Sequence, residues 1–380
     1  MSQLPSGSKL LFLSVLSAAS AYTADISIFP IILASLSREF GINTANSVLL
    51  AYSYNIALIA GIVPSYFART PRVLLTLFRL GLVLFCAGAV LLFGSDTFSG
   101  LLSARILMGL GAGIFSPLIP SIISVMYKEK TKYLSYWATT TGAVCVIAPL
   151  ALMVAAQIFA LRSSVILIVL LSILAFFLAG KSIVTASESA STTEVSGSPT
   201  ISWPGLLSVL VTVFVIYGQV TWLIYSIPLR AAHGGASDTY LALLGTLPWV
   251  SFTIVCYVMS RVASIYFPQC LMVSAILAGV GLIIFVNMPT DSTSSLFLVM
   301  FIAGAAMAVA NIPSTALAFS YVDASRFGLI SCLDILAARL GGAFYLSQFD
   351  WASPGVEILW SGIPLVLSLA FILVPQRELK

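Results

Sequence analysis

The chain has 380 residues, of which 60% are apolar and only 8% charged, and its formal net charge is +4. A soluble domain carries about 25% charged residues, and the mean hydropathy here is +1.09. This composition excludes an ordinary soluble enzyme and makes the lipid bilayer the solvent for most of the chain. The small positive charge gives no support for nucleic-acid binding. The five cysteines stand singly in apolar segments, without the spacing of a metal or redox site.

Twelve apolar segments follow one another along the chain, and each is long enough to cross a bilayer as a helix. Their composition is rich in Gly, Ala, Ser and Leu, which is typical of helices that pack on helices in lipid. No strand pattern of a barrel is present, so we predict an all-helical membrane protein. We expect the first segment, preceded by Lys9, to be a retained span and no cleaved signal. The segments lie near residues 10–36, 45–67, 73–94, 98–126, 134–158, 163–181, 204–227, 238–260, 266–288, 294–319, 326–348 and 355–375.

The longest weakly apolar stretch is residues 182–202, a linker rich in Ser and Thr after the sixth segment. Six spans, a linker and six more spans are typical of a duplicated transporter in which each half lines a central cavity. We therefore predict an N-terminal half over 1–181, a cytoplasmic linker over 182–202 and a C-terminal half over 203–380.

The basic residues near the segment ends are distributed unequally between the two sides of the membrane. If the N-terminus is inside, only Arg38, Arg162 and Arg230 lie outside. Lys and Arg concentrate on the cytoplasmic side of membrane proteins, so we expect both termini and the linker to be cytoplasmic, in an inner or plasma membrane. The residues then on the inner side are Lys9, Arg69, Arg72, Arg79, Lys128, Lys130, Lys132, Lys181, Arg261, Arg326, Arg377 and Lys380.

One carboxylate, Asp25, interrupts the first apolar segment near its middle. An ionised Asp at this depth costs about 3 kcal/mol unless it acquires a partner or a proton. The functional interpretation is a proton carrier whose charge state biases the conformation of the protein. The structural interpretation is a carboxylate that only bonds neighbouring hydroxyls, such as those of Thr23 or Ser27.

The fourth segment contains Leu101-Leu-Ser-Ala-Arg105-Ile-Leu-Met-Gly109-Leu-Gly-Ala-Gly113. This stretch resembles the fourth-helix signature of the major facilitator superfamily, with Met108 where that signature prefers Gln. The first segment with its outer loop, and Ala338-Arg339-Leu-Gly-Gly342 in the eleventh, resemble the drug/proton antiporter branches of the same family. The resemblance implies twelve transmembrane helices in two pseudo-symmetric six-helix halves that transport by alternating access.

Two motifs depart from the family pattern. The loop after the second segment keeps Gly61, Arg69 and Arg72 but has Ser65 where an Asp is usual, and that Asp normally pairs across the cytoplasmic gate. The antiporter signature of the fifth segment is reduced to Gly142 and an Ala-Pro pair. From the resemblance, the gate and structural residues are Gly61, Arg69, Arg72, Gly109, Gly113, Pro149 and Arg339.

Three charged residues are candidates for proton coupling: Asp25, Arg105 and Asp334. In the family the Arg of the fourth helix faces the first helix, which makes Arg105 the expected electrostatic neighbour of Asp25. Alternatively, Arg105 snorkels to the interface. Asp334 and Arg339 are five residues apart, about 140° around a helix, so we expect no pair between them. Asp334 is then a second titratable group, a cation site, or a packing contact to Asn311 or Ser314.

Polar and aromatic residues of the predicted cavity are candidates for binding the solute. Several stand at helical spacing in the seventh segment, where an aromatic stripe could hold an apolar or cationic solute by stacking and cation–π contact. Aromatic residues that face lipid are the ordinary alternative. The candidates are Tyr22, Asn55, Gln219, Trp222, Tyr225 and Asn311.

The sequence as a whole predicts a secondary transporter, driven by protons and exporting a small amphipathic or drug-like molecule. The alternative is proton-coupled uptake of a nutrient, an amino acid or a siderophore-like metabolite. We expect no enzyme activity, no cofactor and no metal, because no P-loop or catalytic motif is present. A membrane enzyme or a receptor without flux would be the competing classes. The expected partners are the solute, protons and the lipid bilayer, and the expected state is a monomer.

Overall fold

The structure, a computed structural model, describes residues 6–348 and residue 366, with gaps at 69, 127–129, 156–162, 164, 181–201, 260, 263, 288–292 and 323–326. All regular elements within these ranges are helices, as the composition predicted. Most of the predicted linker and the whole predicted twelfth segment, except residue 366, lie outside the described residues.

Twelve helices cover the first eleven predicted segments. Nine of the described helices, counting α4 and α5 as one span, are long and apolar enough to cross a membrane, and two shorter apolar helices lie at Thr139–Leu152 and Val165–Ala179. The helices are α1 (Ser6–Glu39), α2 (Thr44–Tyr66), α3 (Pro71–Gly94), α4 (Phe98–Phe115), α5 (Leu118–Met126), α6 (Lys130–Ala155), α7 (Val165–Gly180), α8 (Trp203–His233), α9 (Asp238–Met259), α10 (Phe267–Asn287), α11 (Thr293–Ser320) and α12 (Phe327–Gln348).

The predicted fourth segment contains a break that the hydropathy pattern does not show. Its first part, α4, ends where the Ser116 amide donates to the Ala112 carbonyl at 2.9 Å. Pro117 and Pro120 follow, and neither can donate a backbone hydrogen bond. The chain therefore turns before α5 begins at Leu118. As a result α12 corresponds to the eleventh predicted segment.

Two helices of the N-terminal part begin with threonine caps. The Thr70 hydroxyl accepts a hydrogen bond from the Val73 amide at 3.3 Å, and Pro71 occupies the first turn of α3. The Thr97 hydroxyl accepts from the Gly100 amide at 3.2 Å at the start of α4. Such caps satisfy backbone amides that have no partner inside the helix, which fixes where α3 and α4 begin.

The described chain divides into two compact units. Unit 1 comprises residues 1–29 and 53–195, and unit 2 comprises residues 30–52 and 196–380. Both α1 and α2 contribute residues to each unit. Residues 30–52 group with the second unit, which the sequence did not indicate.

Glycines let α4 approach its neighbours in unit 1 backbone to backbone. A Cβ at Gly61, Gly109 or Gly113 would overlap backbone atoms across the crossing of α2 and α4. A Cβ at Gly81 would lie 2.8 Å from the Gly111 carbonyl, and one at Gly88 would lie 2.7 Å from the Met108 amide. Small residues at such crossings are the usual means by which membrane helices pack closely. We call these contacts the α2–α4 and α3–α4 seams.

Unit 2 is built on α8, which packs on α10, α11 and α12, while α9 packs on α11. The second half of α1 joins this unit. The Ser37 and Ser47 hydroxyls are 2.7 Å apart, and the Arg38 guanidinium forms an exposed ion pair with Asp238 at the start of α9. Arg38 also donates to the Ala236 carbonyl at 2.7 Å.

Candidate functional site

The Asp25 carboxylate and the Arg105 guanidinium form a buried ion pair in unit 1. Nη1 of Arg105 donates to Oδ1 of Asp25 at 2.8 Å, and each side chain is only 1% exposed. Asp25 lies in the middle of α1, and Arg105 lies two turns into α4. The pair is charge-assisted, and its two members compensate each other's cost of burial in the membrane.

Two aromatic rings and a thioether complete the surroundings of Arg105. Its Cζ lies 3.5 Å from the centroid of the Phe29 ring and 4.1 Å from that of Tyr54. The Met108 sulfur is 3.7 Å from Nη1, so the residue that replaces the family's Gln still contacts the arginine. Among the described residues Nε has no hydrogen-bond partner. Arg105 is therefore held by one carboxylate and by ring faces, which stabilise a desolvated cation.

The hydroxyls that the sequence offered as neighbours of Asp25 bind elsewhere. The Thr23 hydroxyl donates to the Ala19 carbonyl at 2.8 Å, and the Ser27 hydroxyl to the Ala24 carbonyl at 3.1 Å. Tyr22 is half-buried with its ring edge-on to Phe115, and the Asn55 side chain is only 2% exposed. The salt bridge therefore dominates the surroundings of Asp25.

A second polar cluster lies in unit 2, where α8, α11 and α12 meet. The Thr315 hydroxyl donates to Oδ2 of Asp334 at 2.9 Å. The other oxygen, Oδ1, is buried without a hydrogen-bond partner among the described residues. The Tyr217 hydroxyl and Oδ1 of Asn311 are 3.2 Å apart. The hydrogen-bond partner of Asp334 therefore lies on α11, the predicted span. The partner is Thr315, whereas the sequence predicted Asn311 or Ser314.

Arg339 lies on the same helix as Asp334 and shares Tyr217 as an electrostatic neighbour. The two residues form no ion pair in the described part of α12, as their spacing predicted. Among the described residues Asp334 consequently has Thr315 as its hydrogen-bond donor and no ion-pair partner. A carboxylate in this setting either binds a proton or attracts a cation.

Three of the predicted cavity residues pack inside unit 2. Gln219 and Trp222 are 0% and 1% exposed. The Trp222 ring is edge-on to Phe285 at 5.4 Å between centroids, and the side chain of Gln219 lies beside that of Tyr345. Tyr225, one turn further along α8, is also buried. A role for these residues in binding solute stays a prediction.

The predicted gate and structural residues fall into different surroundings. Gly61, Gly109 and Gly113 form the α2–α4 seam. Arg72 is exposed in the first turn of α3, and Pro149 is buried within α6. Arg69 lies outside the described residues.

Two residues of these clusters, Phe29 and Thr315, were not among the candidates predicted from the sequence. Phe29 is four residues after Asp25, and Thr315 is four residues after Asn311, so each lies on the same helical face as a residue already singled out. Tyr54, whose ring also contacts Arg105, directly precedes the predicted cavity residue Asn55. The i, i+4 spacing of Phe29 and Thr315 from residues already predicted was the feature of the sequence that pointed to them.

The chain matches one protein-family model, and solved structures of similar fold are known. The family model described as Major Facilitator Superfamily matches residues 11–375. No curated protein sequence matches the chain.

Several solved structures of peptide transporters are similar in fold. An auto-inhibited peptide transporter of the POT family superposes with a TM-score of 0.72 at 12% identity, covering 99% of both chains. A POT family transporter in complex with a thioalcohol-conjugated peptide gives 0.73 at 13% identity, covering 97% of this chain and 96% of that one. A POT family transporter bound to 5-aminolevulinic acid gives 0.72 at 12% identity with the same coverage. At these identities the similarity establishes the fold.

Proposed function

This chain belongs to the major facilitator superfamily, and we propose that it carries a small amino-group-bearing nutrient, such as a short peptide or an amino acid, into the cell together with protons. The observation that carries the proposal is the buried Asp25–Arg105 ion pair. Several solved structures of similar fold are peptide transporters, and two of them hold a peptide conjugate and 5-aminolevulinic acid. These ligands favour uptake of an amino compound over export of a drug.

The ion pair supplies a simple chemical basis for coupling. While Asp25 is ionised, its carboxylate occupies Arg105. When Asp25 binds a proton the pair loses its charge complementarity, and the guanidinium becomes available to another anion. The carboxylate of an amino acid or peptide is such an anion, because Arg binds carboxylates through the same donors. Proton binding and substrate binding at this pair would then favour each other, which is the thermodynamic requirement of symport.

The direction of transport can be tested with purified full-length protein in liposomes. An imposed pH gradient with an alkaline lumen should drive accumulation of a labelled dipeptide, since a symported solute moves with the protons. A protonophore should abolish accumulation, and protein-free liposomes should show none. Accumulation only when the lumen is acid would contradict symport and establish proton exchange in its place.

Asp334 is proposed to recognise the amino group of the solute. Its Oδ1 is a buried acceptor without a donor in the part of the chain that the structure describes, and the Tyr217 hydroxyl and the Asn311 side chain lie in the same cluster. A protonated amine brought to Oδ1 would supply the countercharge that the carboxylate lacks.

An Asp334→Asn variant should raise the KM for a dipeptide by about tenfold or more, as expected when a charged hydrogen-bond partner is lost. It should have little effect on the KM for an N-acetylated dipeptide, which has no charged amine. Transport rates in proteoliposomes measure both values. Equal effects on the two substrates would contradict amine recognition and indicate a packing role for the contact with Thr315.

Proton-driven export of a drug-like molecule is the second candidate. The specific observation in its favour is the resemblance of the first segment with its outer loop, and of the eleventh segment, to drug/proton antiporters. Asp25 would serve as the titrating group in either direction of solute movement. The liposome experiment above distinguishes the two functions by the sign of the pH gradient that concentrates the solute.

We propose an inner or plasma membrane location, cytoplasmic termini and a working monomer whose two halves alternate access to the solute. The support for the orientation is the concentration of basic residues on one side. The seams would keep helices of unit 1 together during this motion.

A further inference from the structure

An apolar groove runs along the surface of unit 1 between α3 and α7. Its volume is about 420 Å³, within the range of sites that hold small ligands. Leu82 and Ser172 form its buried floor, while Val83, Val90 and Phe177 on its rim are 48%, 53% and 65% exposed. Such a surface faces the hydrocarbon of the bilayer in a membrane protein. It has the shape and chemistry to hold one acyl chain.

A cation lies at one end of this groove. The Cζ of Arg79 is 4.4 Å from the ring centroid of Phe176, and Phe176 also lines the groove. Nε of Arg79 is buried and has no hydrogen-bond partner among the described residues, and Arg79 forms no ion pair within them. The guanidinium is thus oriented by an aromatic face while part of its hydrogen-bonding capacity is unused.

The position of Arg79 along α3 lets its side chain extend towards the headgroup region of one leaflet. It lies eight residues after Pro71, about 12 Å from the start of the helix at 1.5 Å per residue. Helical side chains point towards the helix N-terminus, which carries the guanidinium towards the membrane surface that the basic residues mark as cytoplasmic. The groove extends from Leu82 to Val90 in the opposite direction, into the hydrocarbon.

We propose that this groove and Arg79 together bind an anionic phospholipid of the cytoplasmic leaflet, with the phosphate on Arg79 and one acyl chain between α3 and α7. The charge of the arginine selects for a lipid with net negative charge, because a zwitterionic headgroup brings its own cation close to the phosphate. Basic pockets between membrane helices on the cytoplasmic side are known to bind such headgroups. The site is independent of the solute and of the direction of transport.

The test compares phosphatidylglycerol with phosphatidylcholine of identical acyl chains, added to the purified full-length protein in detergent and counted by native mass spectrometry. The parent protein should retain phosphatidylglycerol several-fold better. Arg79→Gln should remove this preference, whereas Arg72→Gln, which removes an exposed cation from the same helix, should preserve it. Equal behaviour of the two variants would overturn the role of Arg79.

A second pair of variants tests the groove itself. Ala87→Trp introduces a large ring into the groove from an exposed position and should lower retention of both lipids. Ala151→Trp makes the same change at an exposed position of α6 and should not. Unchanged retention in Ala87→Trp would overturn the proposal. A dimer in the parent that dissociates in this variant, without a change in bound lipid, would assign the groove to a second copy of the chain.

Discussion

An Asp25→Asn variant is expected to lose accumulation of solute driven by a pH gradient while it retains counterflow of the same solute. Asparagine resembles the protonated acid in shape and charge, so it holds the site in the state that admits substrate. Counterflow exchanges labelled for unlabelled solute and needs no net movement of protons. Net uptake requires the proton to leave in each cycle, which asparagine cannot imitate. Both assays use the same proteoliposomes and the same labelled dipeptide.

Two substitutions serve as controls for this result. Asp96→Asn makes the same change at an exposed carboxylate of the α3–α4 loop and should leave both activities unchanged. Asp25→Glu keeps a titratable group near Arg105 and should retain part of the gradient-driven uptake. If Asp25→Asn accumulated solute as well as the parent protein, Asp25 would be a structural partner of Arg105 and the coupling proposal would fail.

A Gly113→Ala variant is expected to lose most of its folded protein. The added methyl group would overlap the Leu58 carbonyl across the α2–α4 seam, and neither backbone can move without disturbing Gly109 and Gly61. Inserting one carbon into a well-packed interior costs typically about 1 to 3 kcal/mol, and more where backbone is the obstacle. We expect a lowered midpoint of thermal unfolding, measured by the monodisperse fraction in size-exclusion chromatography.

Gly94→Ala is the matched control, since no atom lies within 4 Å of its added Cβ at the end of α3. Alanine favours the helical state over glycine by roughly 1 kcal/mol, so this variant should be as stable as the parent protein or slightly more stable. Equal midpoints for Gly113→Ala and Gly94→Ala would show that α2 and α4 are further apart than the seam requires.

The sequence predicted the helical architecture because long apolar runs in a bilayer have few alternatives. The presence of Asp25 in such a run was also visible, as was the likeness of the Arg105 segment to a known signature. Their direct contact was not predictable, because the depth of a side chain depends on how α1 and α4 slide past one another. The same holds for Thr315, which reaches Asp334 only through the packing of α11 on α12.

Other features escape a hydropathy pattern for local reasons. Pro117 and Pro120 break the fourth segment without changing its apolar character. Phe29 looks like any lipid-facing aromatic residue until its ring is found over a guanidinium. The direction of transport and the solute depend on a few polar contacts, and these contribute almost nothing to the composition from which the fold was predicted.

The two seams also determine which partner in the ion pair can move. Because α4 touches α2 on one side and α3 on another through backbone atoms, it has little freedom to rotate about its axis or to bend. We therefore expect Arg105 to be the less mobile partner of the ion pair. The helix that carries Asp25 has Pro30 little more than one turn further on, where a backbone hydrogen bond is missing and flexing is easiest. A change in the charge of Asp25 would displace α1 and leave α4 in place.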